Sequence, residues 1–231
     1  MSKLKDIHSN KDDQFATDSP RLLSEITYER IKEAIRNAEL EPGQPLSETK
    51  LSKMLGISRT PVREAIHQLA QEGLVQIIPG RAITVASLSV QEVMNAVHVR
   101  SILEPEVARL AAVSISPDNL ENLRAVIQEM EETNDNENRA AWAKADNRFH
   151  EILSGVCPNK LLGDMVTQVR NRISYLSADN QTNHNRMLAC TQEHRQVADA
   201  IAAGDPQAAE EAMRDHIEKL RDSFFSRLTH S

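Results

Sequence analysis

The chain has 231 residues, a formal net charge of −7, and side chains that are 40% hydrophobic but only 3% aromatic. No apolar run approaches the roughly 20 residues that cross a bilayer, Met1-Ser2-Lys3-Leu4-Lys5-Asp6 carries no secretory pattern, and two cysteines make no disulfide framework, so a reduced cytoplasmic setting is expected and no membrane partner. The acidic balance argues against nucleic acid only until it is divided: residues 21–87 carry nine basic and eight acidic side chains, residues 88–231 fifteen basic and twenty-two acidic.

Residues 1–20 are polar, of mixed charge, and read as a disordered arm. A helical pattern then starts at Leu22 (Leu22, Leu23, Ile26, Ile31, Ala34, Ile35) and stops before the turn Glu41-Pro42-Gly43. Ser47 is a suitable N-cap for a short helix to Leu55, with Gly56 past its end. A third helix is expected from about Ser58 to Glu72, with Thr60-Pro61 pairing an N-cap with proline at the first helical position. Leu74 to Ile78 and Ala82 to Val85 read as strands joined by the turn Pro79-Gly80-Arg81. Three helices and a hairpin make a winged helix-turn-helix.

Beyond Ser87 the composition is rich in Ala, Leu, Glu, Arg and Gln and the periodicity is helical. Breaks at Ser116-Pro117, Asn134 to Asn138, Cys157-Pro158-Asn159, Asp179 to Asn183 and Gly204-Asp205-Pro206 divide residues 88–231 into about six helices. Each has one apolar stripe to bury, so an antiparallel bundle is expected and the fold class is mainly α.

In the third helix Val62, Ile66, Leu69 and Ala70 share one face, while Arg59, Thr60, Arg63 and His67 lie on the other near the helix start. A recognition helix needs this division: its first turns enter the major groove while its apolar side stays in the core. The arginine fork matches guanine O6 and N7, and the helix N-terminus with Ser58 can hold a phosphate. The competing reading is a merely solvated face; the position before a wing weighs against it.

Ser58-Arg59-Thr60-Pro61-Val62-Arg63-Glu64-Ala65 closely resembles the signature of the GntR family of bacterial regulators, and Pro42-Gly43, Leu46-Ser47-Glu48 and Gly73-Leu74-Val75 match at their expected places. The resemblance covers residues 21–87. It implies that Arg59 and Arg63 read bases, that Ser58 and Thr60 touch the backbone, and that Gly80 lies at the wing tip. The chain departs from the pattern at Thr49, where many members carry Arg and only Lys50 supplies a charge, and at Ala82, where Gly is usual.

The rest resembles the FCD ligand domain of the fatty-acid-regulator subfamily through Val99-Arg100-Ser101-Ile102-Leu103-Glu104, Asp146-Asn147-Arg148-Phe149-His150, and the pair Glu193-His194-Arg195 with Arg214-Asp215-His216. Asp146 and His150 are one turn apart beside Trp142, Phe149 and Leu153; His194 and His216 sit among apolar residues of two later helices. Three imidazoles and a carboxylate converging in a bundle suit a divalent transition metal, zinc first, with nickel and manganese also fitting. Taken singly, each histidine reads more often as a satisfied core residue; the set of four in this order points to the metal.

Arg100, in an apolar helix, is costly to bury unpaired. It either pairs with Glu104 or, as the resemblance implies, clamps the carboxylate of a small organic acid, with Arg172 contributing. Cys157 and Cys190 lack metal-ligand spacing and read as structural. The expected protein is a homodimeric repressor on a pseudo-palindromic operator, controlled by a small carboxylate effector that binds near the metal and shifts the two DNA-reading heads. The alternatives are a sensor of the metal itself and a metal-dependent hydrolase; the latter lacks a placed acid, base or nucleophile.

Overall fold

A computed structural model describes residues 20–36, 39–135, 138–180 and 184–229. The chain forms two compact units that divide between Leu88 and Ser89, one residue from the expected boundary. The expected arm lies outside the described residues except for Pro20, which opens the first helix.

The first unit contains α1 (Pro20–Arg36), β1 (Pro45–Leu46), α2 (Glu48–Leu55), α3 (Arg59–Gln71), β2 (Val75–Ile78) and β3 (Ala82–Val85). Ser47 caps α2 by accepting from the Lys50 amide, and Gly56 ends it at φ 67°, a left-handed conformation that costs glycine little. Helix α3 starts two residues earlier than the Thr60-Pro61 reading placed it: Ser58 is the cap, and Pro61 stands in the first turn, where its missing N–H would have had no intrahelical partner. Pro61, Val62, Ala65, Ile66 and Leu69 are buried on one face of α3, which packs on α1 and α2. Of these, Val62, Ile66 and Leu69 each stabilise the unit by about 1.5–3 kcal/mol.

Strands β2 and β3 pair antiparallel from Val75 with Val85 to Ile78 with Ala82. Gly80 turns between them at φ 70°. The sheet also holds a strand that periodicity did not reveal, β1, in the order β1-β3-β2. Two residues are too few to show alternation, and Pro45 hid the strand further.

The second unit contains α4 (Val90–Ser114), α5 (Pro117–Asp135), α6 (Arg139–Val156), α7 (Lys160–Asn180), α8 (His184–Ala202) and α9 (Pro206–Thr229). Ser89 opens α4 with a reciprocal capping box to Glu92. Two of the expected breaks fall partly on residues 136–137 and 181–183, outside the described residues. Helix α4 packs on α7 and α9, α5 on α6 and α8, and α8 on α9.

Trp142, Phe149, Leu123, Met130, Leu153 and Met187 fill the core. One hydroxyl joins three helices: Thr191 of α8 accepts from Trp142 Nε1 of α6 and Asn134 Nδ2 of α5, each at 2.8 Å, and donates to the Met187 carbonyl. Gly163 lets α7 approach α6, since a Cβ there would stand 2.3 Å from the Ser154 carbonyl oxygen. That approach sets α7 against α6 a few turns below Asp146 and its partner Arg170.

Candidate functional site

In the first unit the expected DNA-reading residues share one exposed region of the sequence order Thr49 to Arg63. Thr49, Lys50, Ser58, Arg59, Thr60 and Arg63 are all exposed, as is Gly80 at the hairpin turn. Ser58 makes no side-chain cap hydrogen bond, so its hydroxyl is not committed to the helix it caps. Arg59 and Arg63 both donate to Glu48 at the start of α2: Arg59 Nη2 at 3.1 Å, Arg63 Nε and Nη2 at 2.9 Å each. Despite some desolvation, the Arg63 and Arg59 hydrogen bonds hold the Glu48 carboxyl at about 2. Sequence reasoning gave Glu48 no role; its pairing spans two helices and leaves no local spacing signal.

In the second unit charged and titratable groups of α4, α6, α7, α8 and α9 converge. His150, His194 and His216 are fully buried, and their ligand nitrogens lie within 4.8 Å of one another. Each ring has its Nδ1 engaged by an acceptor. His194 Nδ1 donates to the Cys190 carbonyl at 2.7 Å, His216 Nδ1 to Glu193 Oε2 at 2.9 Å, and His150 Nδ1 lies 2.7 Å from Glu104 Oε2, off the line of an ideal hydrogen bond. Carbonyls and carboxylates only accept, so the protons sit on Nδ1 and the Nε2 lone pairs are left over. The Nε2 atoms of His150 and His194 face each other at 3.0 Å, and Asp146 Oδ1 stands 3.4 Å from His194 Nε2.

Burial lowers the affinity of all three imidazoles for a proton, with His194 brought to about 4 by burial and the neighbouring His150. They are neutral bases at neutral pH. Burial works to raise Asp146, but His194, His150 and Arg170 outweigh it and hold the carboxyl at about 2. The set is therefore three neutral nitrogen donors and one carboxylate, with outer partners that orient the rings, as a divalent ion requires.

Arg100 takes the pairing reading: its Nε lies 2.5 Å from Glu104 Oε1, both side chains buried. Arg172 is corrected. It is exposed, while Arg170, two residues earlier, is buried, with Nη2 3.4 Å from Asp146 Oδ2 and Nη1 3.7 Å from Glu104 Oε2. The signal was available, because Val166, Arg170 and Ile173 share the buried face of α7 at i, i+4 and i+7, and Arg172 falls off it. Glu193 also receives a bidentate Arg186 at 2.9–3.1 Å. No helix among the described residues is long and apolar enough to cross a membrane.

Comparison with known proteins agrees with both halves. The profile of bacterial regulatory proteins of the gntR family matches residues 23–85, and that of the FCD domain residues 95–219. The HTH-type transcriptional repressor RspR of Escherichia coli K12 is 29% identical over 199 residues, 85% of this chain and 86% of that protein. A probable D-xylose utilization operon transcriptional repressor of Paenarthrobacter nicotinovorans is 30% identical over 187 residues, 79% and 80% of the two chains. Among solved structures, E. coli McbR/YncC superposes with a TM-score of 0.80 at 18% identity, covering 89% of this chain and 98% of that one, and supports the fold. The chain belongs to the GntR family of bacterial transcriptional regulators, with an FCD domain behind its winged helix-turn-helix, and is a DNA-binding regulator rather than an enzyme.

Proposed function

We propose that the chain is a repressor whose hold on operator DNA is set by a small carboxylate bound at a divalent-metal centre of Asp146, His150, His194 and His216. The observation that carries this reading is the 3.0 Å separation of two Nε2 atoms that both present lone pairs. Two acceptors repel at that distance, and burial keeps protons off both rings. An electron-poor ion between them and Asp146 removes the conflict. Zinc, nickel and manganese all suit this donor set. The ion would supply a Lewis-acidic anchor for an effector oxygen.

Charge accounting favours an anionic effector over the ion as sole signal. Around the cluster Arg100, Arg170 and Arg186 balance Glu104, Asp146 and Glu193. A divalent ion held by neutral imidazoles leaves an excess of two positive charges in a buried place, where unpaired charge is costly. A carboxylate offsets part of it. Arg100 and Arg170 are the buried cations placed to steady it; Arg172 is not. To change DNA binding, the acid must favour one arrangement of a homodimer over another. Two-fold symmetry then calls for a pseudo-palindromic operator. The exposed Val99, Ile102 and Val113 on one side of α4, with Leu161 and Met165 on the neighbouring α7, support a self-association face.

Native mass spectrometry of the full chain tests these parts together. A dimer with one metal ion per chain, with or without a small retained acid, is expected. A chain that takes up none of zinc, nickel or manganese overturns the metal centre. DNA release on metal alone would show that the ion is the signal.

A further inference from the structure

Helix α4 carries a stripe of Val99, Ile102, Glu106, Arg109 and Val113, spaced by three and four residues. At 3.6 residues per turn these positions share an arc of about 80°, opposite the buried Val93, Val97, Val107 and Ala111. Val99, Ile102 and Val113 are 37%, 59% and 69% exposed. Between Ile102 and Val113 stands a bidentate ion pair: Arg109 Nε donates to Glu106 Oε2 at 2.6 Å and Nη2 to Oε1 at 2.7 Å. The Arg109 and Glu106 side chains are 37% and 43% exposed. Their pairing takes one edge of the guanidinium and leaves Nη1 for a second carboxylate.

An apolar stripe interrupted by two opposite charges restricts what can lie along it. A parallel second α4 would set Glu106 against Glu106 and Arg109 against Arg109. An antiparallel one related by a two-fold axis at Glu106 again sets Glu106 against itself, and an axis at Glu104 sets Ile102 against Glu106 and Val99 against Arg109. Like charges face to face are repelled, and charge laid on apolar surface loses its water without gaining a partner. With the axis between Val107 and Ala108, Ile102 meets Val113 and Glu106 meets Arg109, each contact made twice. We infer that two copies of the chain pair through α4, antiparallel and in this register, with Glu106 and Arg109 of both copies closing a ring of alternating charge. This rests on the homodimer proposed above and gives it a register. The stripe is then self-complementary, as a two-fold interface requires. The exposed Leu161 and Met165 of α7, which packs on α4, add apolar surface to the unit, while the charges fix which residues meet.

The test is sedimentation velocity on the full-length chain. The wild type should sediment as a dimer. Glu106→Arg places two cations on the stripe and Arg109→Glu two anions. Each variant alone should weaken self-association roughly 100-fold or more, because the ring then gathers four like charges. An equimolar mixture of the two should form a heterodimer of near wild-type affinity, although neither chain can make its own internal pair. Variants that dimerise as the wild type does, or a mixture that stays monomeric, overturn the register and leave the homodimer standing. A monomeric wild type overturns both. Should the charge variants fail to fold, a chain carrying Ile102→Cys and Val113→Cys together decides, the native Cys157 and Cys190 being buried. Mild oxidation with diamide should link two such chains covalently, whereas Ile102→Cys alone should stay unlinked. No link in the double variant, or an equal link in the single one, overturns the register.

Discussion

The two units handle charge in opposite ways. In the winged helix-turn-helix Arg59 and Arg63 are exposed and share one carboxylate, Glu48. Such pairs are worth about 0–1 kcal/mol, so exchanging Glu48 for another anionic or acceptor partner would cost Arg59 and Arg63 little. In the FCD unit Arg100, Glu104, Arg170 and Asp146 are buried with the three histidines. Their partners are not exchangeable, because removing one leaves the others uncompensated in a medium that solvates them poorly. A DNA reader needs groups that are free to change partner, whereas a ligand centre needs groups that cannot.

This contrast can be broken by experiment. Glu104→Ala strands Arg100 and Arg170, and the expected loss is about 3–5 kcal/mol of stability, read by urea denaturation with the DNA-binding unit as internal reference. A loss under about 1 kcal/mol would mean that the buried network relaxes as freely as a surface pair. Acid gives the next largest effect. The folded pKa of His194, about 4, lies below its unfolded value near 6.5, so between these the unfolded chain binds more protons. Stability is complete above about pH 6.5 and falls toward pH 4, by about 1.4 kcal/mol per pH unit from this residue alone. His150 and His216 act in the same direction. A metal-stripped chain whose melting is unchanged from pH 7 to pH 5 would contradict their burial as neutral bases.

On the other side of the contrast, Arg63→Ala should cost about 1–3 kcal/mol in specific operator affinity and leave thermal stability unchanged; intact operator affinity would remove α3 as the reading helix. Glu48→Ala should change stability least, by no more than about 0.5 kcal/mol. It frees both guanidinium groups, so non-specific DNA binding should gain relative to specific binding in a salt titration. Equal change in both would deny Glu48 any part in aiming the arginines.

Much of the architecture could be read because its signals are local. Ser47 and Gly56 bracket α2 in a way any reader of caps would find, and the stripe Val62, Ile66, Leu69 identifies the buried side of α3 without tertiary information. Asp146 and His150 were visible for the same reason, one turn apart on one face. What escaped was set by distance in sequence. Glu48 meets Arg63 across 15 positions, and His150 meets Glu104 across a bundle. Arg170 stands in no recognised motif, but counting the α7 face places it, and not Arg172, on the buried side.

The Thr191 hydroxyl has a mechanical consequence. It uses its donor and both acceptor positions, holding α5 through Asn134, α6 through Trp142 and its own helix through Met187. Helix α8 carries His194 three residues further on, so it cannot turn about its axis without breaking these bonds together. Helices α5, α6 and α8 are therefore tied into one block, which opposes rotation of α8 by itself. The amides of α5, α6 and α8 around this junction should accordingly exchange with deuterium as one cooperative group.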